Sequence, residues 1–337
     1  MANLTTKYLG LELKNPLIAG ACNLSLEPDL AKKIEDAGAS AIVFKSLFEE
    51  QINLESLELE DALSEYAERN AEMINLFPNI KHAGPEEHLE KLSKTKESLG
   101  IPVIGSLNCV NADTWEDYAE EMAQTGVDAL ELNFYATPGS FDKTAGEIEA
   151  EQIAILAAVK EKVNIPVSVK LSPFYSNTLN LIQQMDKQGV DGFVLFNRLF
   201  HPDIDLGSEE HNYPFNASQP MLYRMPLRFA GLLYEKINAD ICSNTGIFSG
   251  HDIARMILAG ADSVQVVSAL YQHKISHVTK MLQDLTDWME SKSYASLNDF
   301  RGKLSMVKAK DPYAYKRAQY VDMLMKPFDL LKKYPQV

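Results

Sequence analysis

The stretch Ile165-Pro166-Val167-Ser168-Val169-Lys170-Leu171-Ser172-Pro173 decides the fold that we predict for the whole chain. Val167, Val169 and Leu171 suit a strand buried in a parallel sheet, where an unpaired ammonium group would be costly. Lys170 must therefore be paired or serve a function. In a barrel of parallel strands the C-terminal strand ends form the active face, so an inward-pointing Lys170 would face a ligand. The alternative is that its stem packs while its ammonium group reaches solvent.

Helical patterns that end in glycine and pass directly into an apolar strand recur along the chain. Glycine beyond a helix end accepts the left-handed conformation that stops the helix, and the apolar run that follows suits a short buried strand. Four segments share this pattern: Gly38–Lys45, Gly126–Asn133, Gly189–Asn197 and Gly260–Ser268. Four more strands are predicted: two begin at Ile101 and Ile165, and two span Asn15–Cys22 and Ala239–Thr245. Eight such βα units predict a (β/α)8 TIM barrel more than a doubly wound sheet, which usually has fewer strands and a dinucleotide fingerprint.

The composition is typical of a globular protein with a large core. Of the 337 residues, 46% are hydrophobic and 23% are charged. The 47 acidic residues against 32 basic ones give a formal charge of -15, which argues against nucleic acid or an anionic membrane as the main partner. We predict a single barrel domain over residues 1–337, with an N-terminal hairpin and a C-terminal helical extension from about residue 308 to 337.

The sequence carries no sign of a membrane segment or of a cysteine framework. No apolar run approaches the roughly 20 residues of a membrane helix, and Met1–Lys7 lacks the apolar core of a signal peptide. We therefore expect a cytoplasmic protein. Cys22, Cys109 and Cys242 are far apart and form no Cys-x-x-Cys pair, so neither disulfides nor a cysteine-based zinc or iron–sulfur site is indicated.

Polar side chains collect where the predicted strands end. A single serine or asparagine at such a position is usually a helix cap or a turn former. Eleven polar residues, however, would share the active face: Lys45, Ser46, Ser106, Asn108, Asn133, Lys170, Ser172, Asn197, Ser243, Asn244 and Ser268. Two lysines and several amides on one face would suit an electron-rich, planar ligand that forms hydrogen bonds.

The turns after strands seven and eight have a different character. Asn244–Asp252 has the pattern of a strand end, a tight turn and a helix start, and Val266–Ala269 ends the next strand. Turns at these two positions are where barrels commonly hold a phosphate, through backbone N–H groups and a helix N-terminus. We therefore expect a cofactor or substrate that carries phosphate.

Two insertions interrupt the βα alternation. Leu47–Glu72, after strand two, is acidic and helical in pattern, which is typical of a solvated helix face; a lid or docking surface is the alternative. Arg198–Pro226, after strand six, has no regular period and predicts a long loop or small strand excursion that covers the substrate. Its possible metal ligands match the spacing of no standard site, so we predict no metal; they are His201, Asp203, Asp205 and His211.

With these residues laid out, the chain resembles the dihydroorotate dehydrogenase family, and in particular its soluble class. The likeness begins at Leu9–Leu17, similar to the family's opening hairpin and first strand, and runs to Asp299–Leu304. The motifs between them are Lys45-Ser46, Glu131-Leu132-Asn133, Val169–Pro173, Asn197 and Thr245–Asp252. The resemblance implies a barrel that binds FMN, a small-molecule substrate on the flavin face beneath loops, and a homodimer.

The resemblance also implies roles for single residues. Lys45 and Lys170 would be catalytic, with Lys170 at the flavin N1 and C2 carbonyl, where a fixed cation stabilises the reduced form. The substrate would be held by Lys45, Asn75, Asn133 and Asn197. The residues that would contact FMN are Gly20, Ala21, Cys22, Lys45, Ser46, Ser106, Asn133, Lys170, Asn197, Thr245, Gly246, Ser249, Gly250, Ser268 and Ala269.

The position of the catalytic base departs from the family pattern. After Glu131-Leu132-Asn133 the family carries a cysteine or serine that takes a proton from C5 of dihydroorotate. Here Ala136 occupies that position, and a methyl group cannot accept a proton. Pro138 stands where a second substrate asparagine is expected. At the phosphate turns Thr245 and Val267 replace the usual glycines, which requires ordinary backbone angles at both positions.

We therefore predict an FMN-dependent oxidoreductase that oxidises dihydroorotate or a related cyclic amide. Three alternatives stay open. The first is a flavoenzyme with another substrate, whose proton is handled by Tyr135, Cys109, a loop histidine or water. The second is a flavin-free lyase or aldolase in which Lys170 forms a Schiff base. The third is a barrel that binds a ligand without catalysis.

Overall fold

Eight parallel strands close into the barrel that the repeated pattern of helix, glycine and strand predicts. The computed structural model describes residues 2–49, 85–109, 112–134, 141–198, 202–212, 217–316, 318–325 and 332–333. The barrel strands are β3 (Leu17–Ala19), β4 (Ala41–Val43), β6 (Val103–Asn108), β7 (Ala129–Asn133), β8 (Val167–Leu171), β9 (Gly192–Leu195), β12 (Asp240–Ser243) and β13 (Ser263–Val266). Strand β3 pairs with β13 and β4 pairs with β6, which closes the ring.

Helices follow the strands around the outside of the barrel. Their bounds are α1 Pro28–Asp36, α2 Glu86–Ser98, α3 Ala112–Gln124, α4 Ala145–Lys162, α5 Thr178–Lys187, α6 Arg224–Leu233, α7 Gly250–Ala259, α8 Ser268–His273, α9 His277–Ser291 and α10 Ala318–Leu324. The glycines of the repeated pattern have positive φ, for example +78° at Gly189 and +85° at Gly126. The predicted helix stops are therefore confirmed, because this conformation is strained for residues that have a Cβ atom.

The N-terminal hairpin, β1 (Thr6–Tyr8) and β2 (Leu11–Leu13), closes the bottom of the barrel. Its turn buries Tyr8 and Leu9 in the inner core, each only 1% exposed. A Cβ atom on Gly192 would lie 2.6 Å from Cδ2 of Leu9, so β9 has no room for a side chain there. The backbone N–H of Leu9 donates to Oδ2 of Asp240 at 2.7 Å, which fixes the hairpin to β12.

The insertions stand at the opposite end of the barrel. After β4 the chain forms β5 (Leu47–Phe48), which pairs with the end of β6, and most of the predicted acidic insertion lies outside the described residues. After β9 an exposed hairpin forms from β10 (Asp203–Asp205) and β11 (Glu210–Asn212), as the predicted strand excursion requires. Within the described part of the C-terminal region, residues Pro312–Tyr315 form a 3-10 turn before α10.

Candidate active site

A cavity of about 870 Å³ opens at the C-terminal ends of the barrel strands. This is the end where parallel barrels carry their active sites, because every strand delivers the residues that follow it to the same face. Ten of the predicted site residues line the cavity: Ala21, Cys22, Lys45, Ser46, Asn133, Lys170, Asn197, Thr245, Gly246 and Ser268. Asn108 and Asn244, two of the polar strand-end residues, line it as well.

The floor of the cavity is a closed ring of three buried side chains. Lys170 Nζ donates to Oε1 of Glu131 at 3.2 Å and to Oε1 of Gln265 at 3.4 Å. Gln265 Nε2 in turn donates to Oε2 of Glu131 at 2.5 Å. All three residues are at most 5% exposed. The ammonium group is thus both paired and directed at the cavity, and it does not extend to solvent.

Amide and hydroxyl groups meet beside Lys170. Asn197, just after β9, donates from Nδ2 to Oδ1 of Asn133 at the end of β7, with a separation of 3.0 Å. The hydroxyls of Ser46 and Ser106 are 2.7 Å apart and buried. The Ser106 side chain therefore supports Ser46 from behind, since only Ser46 of the pair lines the cavity.

At the predicted phosphate turns the backbone differs from our expectation. Thr245 has φ of +79°, in the left-handed region, so the condition of ordinary backbone angles is not met at this residue. A bond of 2.8 Å from its hydroxyl to the carbonyl oxygen of Phe196 holds it there. Val267 has φ of -133° and ψ of -64°, which lies outside the left-handed region that favours glycine. A side chain in place of glycine is therefore accommodated at both positions, at Thr245 by local hydrogen bonding.

Residues 217–223, which directly precede α6, cover these turns. A Cβ atom on Gly246, where φ is +75°, would lie 2.4 Å from the backbone nitrogen of Tyr223 and 2.8 Å from the carbonyl carbon of Leu222. The backbone N–H of Ser218 donates to Oγ of Ser268 at 2.9 Å. The covering segment and the two turns therefore form one packed unit at this side of the cavity.

Other predicted cofactor residues lie outside the cavity wall. Ser249 caps α7 in a reciprocal arrangement with Asp252, and Gly250 lies against α9, where a Cβ atom would be 2.3 Å from the backbone of Leu285 and Met281. The remaining predicted contacts that do not line the cavity are Gly20, Ser106 and Ala269. Asn75, Tyr135, Ala136, Pro138 and His201 lie outside the described residues.

Sequence reasoning missed one wall of the cavity. Trp115 of α3 contacts Phe134 edge to face, with ring centroids 5.1 Å apart, and both line the cavity beside Ile148 and Ile155 of α4. Ile148 and Ile155 are seven residues apart and so lie on one helical face, a signal that could have been used. Arg198 also lines the cavity and directly follows Asn197 in sequence.

Burial shifts the pKa of several groups in and beside the cavity. It raises the pKa of the Cys22 thiol, although neighbouring hydrogen bonds and the charge of Lys170 act in the opposite direction. It also lowers the pKa of Arg198. Behind Lys45, burial and then the charges of Lys45 and Lys91 lower the pKa of His88 to about 4. Desolvation is the largest cause of all three shifts, and the charges of Lys45 and Lys91 add to it at His88.

The residues present fit FMN. Amide, hydroxyl and ammonium groups line the cavity, the cation of Lys170 lies at its floor, and the turn at Thr245-Gly246 lies beside them. Among the residues that the structure describes, four basic side chains and one acidic side chain line the cavity, so an anionic ligand is favoured in a chain whose total charge is -15; they are Lys45, Lys143, Lys170, Arg198 and Glu151.

Comparison with known proteins gives a consistent assignment. The family model described as dihydroorotate dehydrogenase matches residues 3–289. The chain is 27% identical over 306 residues to the catalytic subunit of dihydroorotate dehydrogenase B (NAD(+)) from Thermoplasma acidophilum, covering 90% of this chain and 99% of the relative. It is 22% identical over 334 residues to the chloroplastic dihydropyrimidine dehydrogenase (NADP(+)) of Arabidopsis thaliana, covering 89% and 76%.

Proposed function

Because the chain belongs to the dihydroorotate dehydrogenase family, whose members oxidise a CH–CH bond, we propose that it oxidises dihydroorotate or a related cyclic amide with FMN as cofactor. The observation that carries this proposal is the buried ammonium group of Lys170 at the floor of a cavity lined by Lys45, Asn133 and Asn197. This set of donors suits a planar ligand that gains negative charge during reaction.

The cavity residues have separate tasks in the proposed reaction. FMN, when bound, supplies an acceptor for the two electrons and one proton that leave the substrate as hydride. Lys170 stabilises the negative charge that this transfer creates. The turns at Thr245-Gly246 and Val267-Ser268 offer backbone N–H groups for a phosphate. Asn133 and Asn197 orient the substrate, and their mutual hydrogen bond fixes both amides.

The charge of the cavity favours a substrate with a carboxylate. Lys143 forms an ion pair with Glu151 at the rim, and Lys170 is paired with Glu131 beneath. Lys45 and Arg198 add positive charge at the same cavity. Dihydroorotate carries a carboxylate that the uncharged dihydropyrimidines lack, so this distribution favours dihydroorotate between the two.

A second candidate is a flavoenzyme of this fold with a different substrate. Ala136 stands at the base position of the family motif, and Pro138 replaces a hydrogen-bonding side chain. Such an enzyme would keep the cofactor site and handle its proton through another group, such as Cys109, which lines the cavity. The relative from Arabidopsis is named for a pyrimidine substrate that has no carboxylate, which is one class to test.

We propose the oligomeric state, location and partners of the protein from its sequence and its relatives. A homodimer and a cytoplasmic location remain predictions from the sequence. Some relatives are named as catalytic subunits. We therefore also propose that this chain works with a partner subunit, which passes the electrons onward. Over the part of the chain that the structure describes, none of the helices combines the length and apolarity that crossing a membrane requires.

The deciding experiment is spectroscopic. The purified protein is expected to be yellow, to release FMN on denaturation, and to bleach under anaerobic conditions when dihydroorotate is added. A colourless protein that FMN cannot reconstitute would overturn the cofactor assignment. Borohydride trapping of a carbonyl compound on Lys170 would then favour the lyase or aldolase. Bleaching by another reductant but not by dihydroorotate would favour the second candidate.

A further inference from the structure

The ring of Lys170, Glu131 and Gln265 leaves a defined donor for the cavity. An ammonium group has three N–H donors. Two of them reach Oε1 of Glu131 and Oε1 of Gln265, at 3.2 and 3.4 Å, and Lys170 itself lines the cavity. The third donor is therefore available to a ligand, and the ring determines where it points.

The ring is held by three separate strands. Glu131 is on β7, Lys170 is on the adjacent strand β8, and Gln265 is on β13, on the other side of the barrel interior. The short bond from Gln265 to Glu131 occupies the second carboxylate oxygen, so the carboxylate is fixed at both oxygens. A side chain fixed in this way keeps its position when a ligand enters, which is the condition for electrostatic preorganisation.

The charge of Glu131 extends beyond its partner. Burial is the largest cause that raises the pKa of the Tyr8 hydroxyl well above its ordinary value, and the charge of Glu131 adds to it. Tyr8 belongs to the hairpin at the barrel bottom, so the negative charge of Glu131 is felt below the ring as well as at Lys170. At the cavity, this carboxylate opposes the positive potential that the ammonium group creates.

We propose that Glu131 is a positioning residue that sets the reduction potential of the bound flavin, by orienting Lys170 and offsetting its charge, while Gln265 completes the orientation. This inference rests on the proposed function, because it requires flavin in the cavity. Two-electron reduction adds negative charge to the ligand, and Lys170 favours the reduced form. Glu131 disfavours it, so the potential reflects the difference between the two effects.

The test is the midpoint potential of the flavin in three variants of the full-length holoprotein. Glu131→Gln removes the opposing charge and is expected to raise the equilibrium constant for two-electron reduction about tenfold, which corresponds to about 30 mV. Gln265→Glu adds a second carboxylate beside Lys170 and is expected to lower the potential. Ser168→Ala, at a buried β8 position whose hydroxyl donates to the backbone carbonyl oxygen of Leu130, changes no charge; it is the matched control and should leave the potential unchanged.

The possible outcomes separate this inference from the proposed function. Failure of the parent protein to bind FMN would reject the proposed function itself. Full FMN occupancy with a potential in Glu131→Gln equal to or below that of the parent would overturn the role of Glu131. If Glu131→Gln does not fold, Gln265→Glu still decides, because a potential that does not fall in that variant contradicts charge control at the ring.

Discussion

Asn197 donates its side-chain amide to Oδ1 of Asn133 across a distance of 3.0 Å, and the strand between them in the sheet carries Lys170. Both amides line the cavity, so each limits the rotation of the other. Asn197→Ala removes a donor and leaves the Asn133 side chain free to rotate. We expect orotate, the product of dihydroorotate oxidation, to bind about 5- to 30-fold more weakly, the equivalent of roughly 1–2 kcal/mol.

The measurement for this variant is a titration of the flavin spectrum with orotate. Asn177→Ala is the matched control: Asn177 caps α5 through a bond to Asn180, so its loss should lower stability but leave orotate affinity as in the parent. Unchanged orotate affinity in Asn197→Ala would remove Asn197 from the substrate site.

Lys170→Met removes the cation at the cavity floor and leaves the buried carboxylate of Glu131 without its ion pair. We expect the equilibrium constant for two-electron flavin reduction to fall by about tenfold or more, or FMN occupancy to drop. Lys160→Met is the control, since Lys160 pairs with Asp191 at 2.6 Å on the outside of the barrel. If potential and occupancy both match the parent, Lys170 has only a structural role.

Gly246→Ala and Gly126→Ala form a matched pair because both glycines have positive φ, +75° and +85°. Around Gly126 no atom lies within 4 Å of the added Cβ, so the cost is backbone strain alone, about 1 kcal/mol. At Gly246 the added Cβ would lie 2.4 Å from the backbone of Tyr223. Thermal unfolding and FMN retention after dialysis should therefore suffer more in Gly246→Ala. Equal losses in the two variants would mean that the covering segment is not packed on this turn.

Asp240 predicts a pH dependence of stability. Burial, and then the charge of Asp262, raise the pKa of Asp240 from 3.8 to about 6. A carboxyl group with a raised pKa in the folded state contributes stability that is full below pH 3.8 and is lost as the pH rises through about 6. Asp240→Asn can still accept the N–H of Leu9, so we expect a smaller loss of stability over this pH range, by about 1 kcal/mol after screening.

Urea unfolding at a series of pH values measures this effect. Asp186→Asn is the control. Asp186 accepts hydrogen bonds from the backbone N–H groups of Asn238 and Ala239, and it is not among the groups that shift the pKa of Asp240. Asp262, whose pKa burial also raises, is retained in both variants, so some pH dependence should remain. A pH profile in Asp240→Asn identical to that of the parent would contradict the assignment.

Ala136→Cys tests whether the missing base limits the reaction. A positioned base is typically worth about 10² to 10⁴ in rate, so we expect faster anaerobic bleaching by dihydroorotate with little change in FMN binding. Rescue should be incomplete, because Pro138 also removes a hydrogen-bonding side chain. Ala136→Val adds volume without a proton acceptor and should not accelerate bleaching. Fast bleaching of the parent would show that another group supplies the base.

The barrel could be predicted because its signals are local and repeated. Gly38, Gly126, Gly189 and Gly260 each stop a helix with positive φ, and each is followed by a strand. Lys170 could be predicted to matter because a buried strand has few uses for an ammonium group. The partners of Lys170 were harder to predict, since Glu131 and Gln265 are 134 residues apart in sequence.

Other features depend on packing that a single sequence does not encode locally. A threonine at position 245 gives no sign of φ at +79°, because the Phe196 carbonyl that holds it comes from another strand end. Ser249 and Gly250 match a phosphate motif in sequence, yet each also has a structural use. The Ser249 hydroxyl caps α7, and the lack of a side chain at Gly250 allows α7 to contact α9. Such residues have two uses that only the three-dimensional arrangement separates.

The hairpin at the barrel bottom sets an order of events during synthesis. Tyr8 and Leu9 leave the ribosome early, but the acceptor for the Leu9 N–H lies 231 residues later, at Asp240. Strand β3 likewise waits for β13. The nascent chain must therefore carry an open barrel wall with an exposed apolar face until most of it has been made, and such chains are prone to aggregate or to be captured by chaperones. Translation that stalls before Asp240 would thus yield a fragment in which the N–H of Leu9 lacks its acceptor and the hairpin has no complete barrel to pack against.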